Sequence, residues 1–267
     1  MVAELLDPTM PRRQAAATED IFGVPHTIQY IRNEDHAATL QSAANVGQVF
    51  LGTSMKCASC HDHFENAEWT QDRFLGFASL FAPSDLERIR CDVKSGQTVP
   101  ARFPWDLPGI QATAPTDLNA RLHLAAQLVT DPTNPRFAKT IVNRLWKRYL
   151  GLGLVEPVDD FRADRAASHP QLLDWLAYDF LEHGCDLKHT IRTILTSRTY
   201  QLAYSPATED HFDANLHDNP PRYFRSPTLR RLSVEQLMDS FRLVTTGELT
   251  HDQRTYLDGR STALMRA

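Results

Sequence analysis

The sequence lacks several features that would narrow its class at once. Positive charge is not in excess, because the formal net charge is -5, and this argues against a nucleic-acid partner. No run of apolar residues is long enough to span a bilayer, so no membrane span is predicted. Residues 1–8 contain no basic segment followed by an apolar one, so the chain does not begin with a secretory signal. Its 42% hydrophobic and 23% charged residues are ordinary for a globular protein.

Cysteine is also scarce, with four residues in 267, yet two of them lie in the run Cys57-Ala58-Ser59-Cys60-His61. This spacing predicts covalent attachment of haem c. Each thiol would form a thioether to a porphyrin vinyl group, and His61 would bind the iron from the proximal side. Because the two vinyl groups lie a fixed distance apart on a rigid ring, one short turn must present both sulfurs and the imidazole. Since cysteine is rare here, a chance match is disfavoured.

The predicted haem site conflicts with the start of the chain. Covalent haem attachment normally takes place outside the cytoplasm, so either a signal lies upstream of residue 1 or the haem is absent. The other two cysteines, Cys91 and Cys185, would form a disulfide only in an oxidising compartment, and two free thiols are the alternative.

The same run also permits a metal site without haem. Cys57, Cys60, His61 and His63 provide two thiolates and two imidazoles, which are ligands for zinc or iron. Their close spacing is unusual for a tetrahedral site, because His61 directly follows Cys60. A thioredoxin-like redox pair is a weaker alternative, since no βαβ pattern surrounds the two cysteines.

A second axial ligand would decide the chemistry of a haem iron. Methionine raises the reduction potential, a second histidine lowers it, and an open position permits ligand binding. The sequence has no methionine between His61 and Met238, so the downstream methionine of a common small cytochrome c is missing. His63 lies too close to the motif to reach the opposite haem face. His36 and His123 are the predicted sixth ligands, and an open or water-bound position is the alternative.

Hydrophobic periodicity predicts a mainly α fold in two parts. The first part, residues 1–103, contains the cysteine motif, short helical segments and one possible β-hairpin. Residues 104–117 include three prolines and are predicted to form a connector. Residues 118–267 are predicted to form an α-helical, bundle-like domain, because five amphipathic helices follow one another through short connections.

Local signals predict where these elements begin and end. A helix is expected over residues 36–52, a second one is expected to start after the N-cap Thr70, and the hairpin is expected around residues 95–97. Each helix of the second part has a predicted capping residue. These are Thr116 or Asp117, Asn134, Ser168, Asp186, and Ser233 paired with Gln236.

Charged residues are set among the apolar helices of the second part. They are Arg144, Glu156, Asp159, Asp160, Arg162, His169, Arg198, Arg230 and Arg231. One interpretation is a charged cleft for an anionic or sugar-like substrate, with Asp159, Asp160 or His169 as acid–base groups. The other is a structural network, in which Arg144 and Arg198 bind loop carboxylates and carbonyls. We favour the network, because no nucleophile motif accompanies these residues.

The sequence resembles a large planctomycete family that carries two paired domains of unknown function. In the first part, the likeness lies in residues 50–52, 57–63, 69–71 and Phe74. In the second part, it lies in residues 134–138, 142–146, 153–161, 168–170, 172–176, 186–189, 197–201 and 230–237. The resemblance covers most of the chain from about residue 36 onward.

This resemblance implies a secreted, cytochrome c-like protein located in the periplasm or at the cell surface. Family members are longer, so the chain is expected to be a fragment that is incomplete at both ends, and a sixth ligand could lie outside it. The expected function is electron transfer to a redox partner or to another domain of the full-length protein. The alternative is a cell-surface or periplasmic enzyme or binding module, directed at polysaccharide, with a Cys/His metal site instead of haem.

Overall fold

The computed structural model describes residues 36–90, 93–108, 114–211, 213, 222–229 and 232–247. Within these ranges the chain forms seven α-helices and one two-stranded antiparallel sheet, which confirms the predicted mainly α class. The described residues up to Thr228 belong to one compact unit, and those from Leu229 onward belong to a second. In the described part of the chain, none of the helices has the length and apolar character needed to cross a membrane.

The first part begins with helix α1, His36–Leu51, close to the predicted bounds. Gly52 ends this helix with a φ of +60°, which redirects the chain towards a 3-10 helix, Lys56–Ser59. A short helix α2, Gln71–Ala78, follows. The predicted N-cap is confirmed, because the hydroxyl of Thr70 accepts the backbone N–H of Arg73 at 3.2 Å.

The predicted hairpin is present as strands β1, Leu86–Arg90, and β2, Val93–Val99. Arg90 pairs with Val93, so the strands are joined earlier than predicted, and residues 95–97 lie inside β2. The register shifts opposite these residues, and Gly96 there has a φ of +78°. Because a positive φ suits a bulge as well as a turn, the glycine signal alone does not locate the reversal.

The second part contains four consecutive helices in the same unit. They are α3, Leu118–Thr130; α4, Phe137–Leu150; α5, Pro170–Glu182; and α6, Leu187–Leu195. Helix α4 packs against both α1 and α5, and α6 contacts α4 and α5. The fold therefore places the cysteine-bearing first part directly against the helices of the second.

Some of the predicted N-caps of these helices are confirmed, and one is wrong. Asp117 and Asp186 accept backbone N–H groups at the starts of α3 and α6, as predicted. The side chain of Asn134 accepts the N–H groups of residues 136 and 137 just ahead of α4. Ser168 is not the cap of α5, because His169 occupies that position and the Ser168 hydroxyl donates to the carbonyl of Leu154.

A continuous apolar core joins the two parts. Its aromatic members meet edge to face, as Trp69 does with Trp105. Arg121 of α3 crosses the boundary between the parts, and its side chain is only 7% exposed. Its guanidinium donates to the carbonyl of Ser79 at 2.8 Å and to the carboxylate of Asp85 at 2.9 Å. A buried arginine needs such partners, so this contact links the two parts firmly.

The last described helix, α7, Val234–Thr246, belongs to the second unit. It starts at the predicted capping box, in which Ser233 and Gln236 each bind the other's backbone N–H. It ends at Gly247, whose left-handed φ of +75° is a common helix terminus.

Candidate functional site

The run from Cys57 to His61 sits on a buried base and faces outwards. Met55 and Ala58 are fully buried beneath it, whereas Cys57 and Cys60 are exposed free thiols. The side chain of Met55 packs against Gly47 of α1. Any larger residue at position 47 would place a Cβ atom in collision with this methionine side chain. The 3-10 helix thus fixes the backbone through its apolar residues and leaves both sulfurs accessible.

His61 has one ring nitrogen engaged in a hydrogen bond to the backbone. Its Nδ1 lies 2.7 Å from the backbone carbonyl oxygen of Asp62. The ring also packs on Phe64, with 4.2 Å between the centroids, and Phe64 is itself 84% exposed. An Nδ1–H that donates to a carbonyl defines the tautomer in which Nε2 carries the lone pair. Nε2 is therefore the nitrogen available to bind a metal.

The loop after His61 is held by backbone and side-chain hydrogen bonds. Asp62 Oδ1 accepts the N–H of Gln71 at 2.8 Å, which ties the loop to the start of α2. The side-chain amide of Gln71 donates to the carbonyls of Ser59 and Ile89, at 3.3 and 2.6 Å. These bonds fix the end of the cysteine run against α2 and β1.

His63 has a structural role in the same loop. Its Nδ1 accepts the backbone N–H groups of Glu65 and Asn66, at 3.2 and 3.1 Å. Among the described residues, the ligand atoms of Cys57, Cys60, His61 and His63 are not gathered into a metal-sized cluster. The four predicted zinc or iron ligands are thus close in sequence, but their ligand atoms do not surround one point.

The two predicted sixth ligands lie on different helices. His36 is the first residue of α1, but its side chain lies outside the described residues. His123 lies on α3 and is exposed. Cys185 is an exposed free thiol in the turn between α5 and α6, whereas Cys91 lies outside the described residues.

Some of the predicted charged residues of the second part contact the first part, which carries the cysteine run. Arg162 binds Glu65, which lies in the loop after His61, at 2.9 Å. Asp160 pairs with Arg165 at 2.9 Å and with Arg162 at 3.8 Å. Burial raises the pKa of the Asp160 carboxyl above its ordinary value, although both arginines act in the opposite direction. This arrangement fits the structural network better than a free acid, because the carboxylate is already paired.

Other members of the charged set are also engaged in linking segments. Asp159 accepts the side-chain amide of Gln48 at 2.5 Å, and Arg144 donates to the Gln48 carbonyl at 2.8 Å. Glu156 is buried and binds Lys147.

The remaining predicted members are dispersed. The His169 ring packs near Phe224 with centroids 5.8 Å apart, and Arg198 is exposed beyond the end of α6. Arg230 and Arg231 lie outside the described residues.

A further cluster was absent from the sequence predictions. Asp179 and His183 at the end of α5, and His189 on α6, place three ligand atoms within 4.8 Å of one another. The spacing of four between Asp179 and His183 would have placed both on one helix face. What the sequence could not show is that the following turn brings His189 to the same place.

Fold and site together define a mainly α protein. An outward-facing Cys-x-x-Cys-His run lies in its first part, which packs against the helices of the second part. Residues 120–261 match the family model PSD1, a protein of unknown function (DUF1553), and residues 1–85 match PSCyt2, a protein of unknown function (DUF1549). The PSD1 match covers more than half of the chain, so the protein belongs to that family. These matches support the expected pair of domains of unknown function. No curated protein and no solved structure matches the chain.

Proposed function

We propose that this protein is a c-type haem-binding module that serves electron transfer. The observation that carries the proposal is the pairing of two exposed free thiols, Cys57 and Cys60, with an adjacent His61 whose Nδ1 is held by a carbonyl. This donor set suits haem c, because thioether formation needs accessible thiols and iron ligation needs a free Nε2.

Each residue of the run has a distinct part in the proposed site. Cys57 and Cys60 would each add their S–H across one vinyl group, which forms a carbon–sulfur bond without net oxidation. His61 would supply the proximal nitrogen, oriented by the Asp62 carbonyl 2.7 Å from Nδ1. Haem bound in this way supplies one-electron redox chemistry.

The exposed surroundings favour electron exchange with a partner. Phe64 is exposed next to His61, and both thiols are accessible, so a redox protein or another domain could approach this edge closely. We also propose a periplasmic or cell-surface location and a planctomycete, cytochrome-like relationship, because covalent haem attachment takes place outside the cytoplasm.

The proposal is tested by export of the chain with a signal peptide into cells that express the cytochrome c maturation proteins. We expect haem stain on a denaturing gel and a c-type pyridine haemochrome spectrum. The double variant Cys57→Ser/Cys60→Ser should lose the covalent stain, because both thioether sulfurs are gone. Cys185→Ser removes an exposed free thiol elsewhere and should keep it.

A folded, exported chain without covalent haem would overturn the proposal, as would a stain that persists in the double variant. Metal analysis of the haem-free chain then tests the alternative. Zinc or iron lost on substitution of Cys57, Cys60, His61 or His63 would favour a metal-stabilised binding module or enzyme.

A further inference from the structure

We propose that Asp179, His183 and His189 form a second metal site, which takes a divalent transition metal of the zinc type and ties the end of α5 to the start of α6. The site is separate from the cysteine run and does not depend on the proposed haem function. Its three donors are one carboxylate and two imidazoles, contributed by two helices.

The donor spacing is close to that of a metal's coordination shell. Asp179 Oδ1 lies 3.4 Å from His183 Nδ1, and Asp179 Oδ2 lies 2.9 Å from His189 Nε2. Ligands about 2.0–2.1 Å from a tetrahedral zinc ion are separated by roughly 3.3 Å. The observed separations bracket this value, and all three ligand atoms lie within 4.8 Å of one another. His183 Nδ1 also lies 2.8 Å from the backbone carbonyl oxygen of Asp179, and the two imidazole rings are stacked. Metal binding therefore requires the His183 ring to give up this hydrogen bond and to turn so that both rings point at one ion.

The turn between the two helices brings these donors together. Gly184 and Cys185 both have positive φ, of 63° and 61°, which reverses the chain sharply between the helices. The N–H of Cys185 donates to the carbonyl of Phe180 at 2.8 Å, and Asp186 then caps α6. His189 is therefore brought to Asp179 by the turn, and the two imidazole rings stack with centroids 3.6 Å apart.

Donor type and exposure define the class of ion. Two imidazoles with one carboxylate suit zinc and its transition-metal neighbours, whereas magnesium and calcium prefer all-oxygen sets. The side chain of Asp179 is 15% exposed, and that of His183 is 47% exposed, so an ion can enter from solvent. Three protein ligands leave at least one coordination position for water.

The experiment is a zinc titration of the full chain by calorimetry, in a Cys57→Ser/Cys60→Ser/Cys185→Ser background that removes the exposed thiols. We expect one zinc ion per chain and a higher thermal midpoint with zinc than with a chelator. Asp179→Asn, His183→Gln and His189→Gln should each raise the zinc Kd by at least about tenfold. His123→Gln, which alters an exposed histidine of α3, is the matched control and should leave the Kd unchanged.

Cobalt provides an independent readout of the ligands. In the chain with both cysteines present, the proposed site should give visible cobalt bands that disappear in His183→Gln, while any thiolate-to-cobalt charge-transfer band stays. His183 is exposed, so this variant should fold even if His189→Gln does not. Failure of the chain without Cys57, Cys60 and Cys185 to bind zinc would overturn the proposal, as would binding that none of the three substitutions weakens.

Discussion

At the scale of single residues, Gly52 shows how a missing side chain allows two segments to meet. Its φ is +60°, and a Cβ atom there would lie 2.7 Å from both the Phe161 ring and the Thr140 hydroxyl. Its carbonyl accepts the N–H of Phe161 at 2.7 Å. The residue therefore combines a left-handed backbone with a close approach between the end of α1 and the loop that carries Asp160.

Gly52→Ala is expected to lower the free energy of unfolding by about 2–5 kcal/mol, from left-handed strain and overpacking together. Gly184→Ala is the matched control. Gly184 has a similar φ of +63°, but a Cβ atom there would meet no described residue within 4 Å, so only the strain of about 1–2 kcal/mol applies. Chelator-containing denaturant titrations would measure both, and equal losses would contradict the packing argument.

At the residue scale, sequence locates a candidate site only where the signal is local, and the role of that site stays a prediction. The two thiols and His61 were identifiable because the motif is contiguous. The carbonyl partner of His61 and the use of His63 as a backbone acceptor were not, because they depend on the path of the loop. The Asp179 cluster needed a turn geometry that no sequence pattern specifies.

At the scale of elements, helix α4 carries two lysines in contrasting surroundings. Lys147 binds Glu156, whose side chain is only 1% exposed and also accepts the N–H of Gly153 at 2.6 Å. Lys139 binds Asp174 at 2.5 Å, and the Asp174 side chain is 60% exposed. The first pair anchors the loop after α4, whereas the second lies in solvent.

Lys147→Met is expected to destabilise the protein by about 1–3 kcal/mol, because it removes the ion-pair partner of a buried carboxylate. Lys139→Met should cost about 0–1 kcal/mol, as for other exposed pairs. Methionine keeps the apolar stem in both variants, so the comparison isolates the charge. Urea titrations of the two variants would show the difference, and matching midpoints would refute it.

Element boundaries were predicted best where a short side chain caps its own helix. Asp117, Asp186 and the Ser233–Gln236 pair act within three residues, so sequence suffices. Ser168 is not the cap, because its N–H and its hydroxyl both bind the carbonyl of Leu154, fourteen residues earlier, and His169 takes the cap position. The glycine signal predicts the hairpin turn at residues 95–97, but Gly96 lies where the register of β2 shifts. The chain reverses earlier, between Arg90 and Val93.

At the scale of the whole molecule, the described residues up to Thr228 form one compact unit. It holds the described residues of the PSCyt2 match and those of the PSD1 match as far as Thr228. The contacts between the parts include Arg121 with Asp85, and Arg162 with Glu65. The predicted division at residues 104–117 stays a prediction, and the matched segments end before it and begin after it. Sequence could suggest two parts, but the extent of their shared core required the structure.

We expect the two parts to unfold together. In a Trp146→Phe/Trp175→Phe variant, the remaining tryptophans are Trp69 of the first part and Trp105 of the connector, which packs on Trp69. Their fluorescence midpoint in denaturant should coincide with the far-UV circular dichroism midpoint, which is weighted towards the helices of the second part. Two clearly separated midpoints would show that the parts fold independently.

The buried guanidinium of Arg121 has an evolutionary consequence. Arg121 lies in the segment that matches PSD1, whereas two of its acceptors, Ser79 and Asp85, lie in the segment that matches PSCyt2. Its third acceptor, the carbonyl of Pro115, lies between the two matched segments. A gene that gained the PSD1 segment without the other would encode a buried guanidinium that lacks its carboxylate partner, which costs several kcal/mol. Selection therefore acts against recombination between the two, and descendants should inherit them as a single cassette.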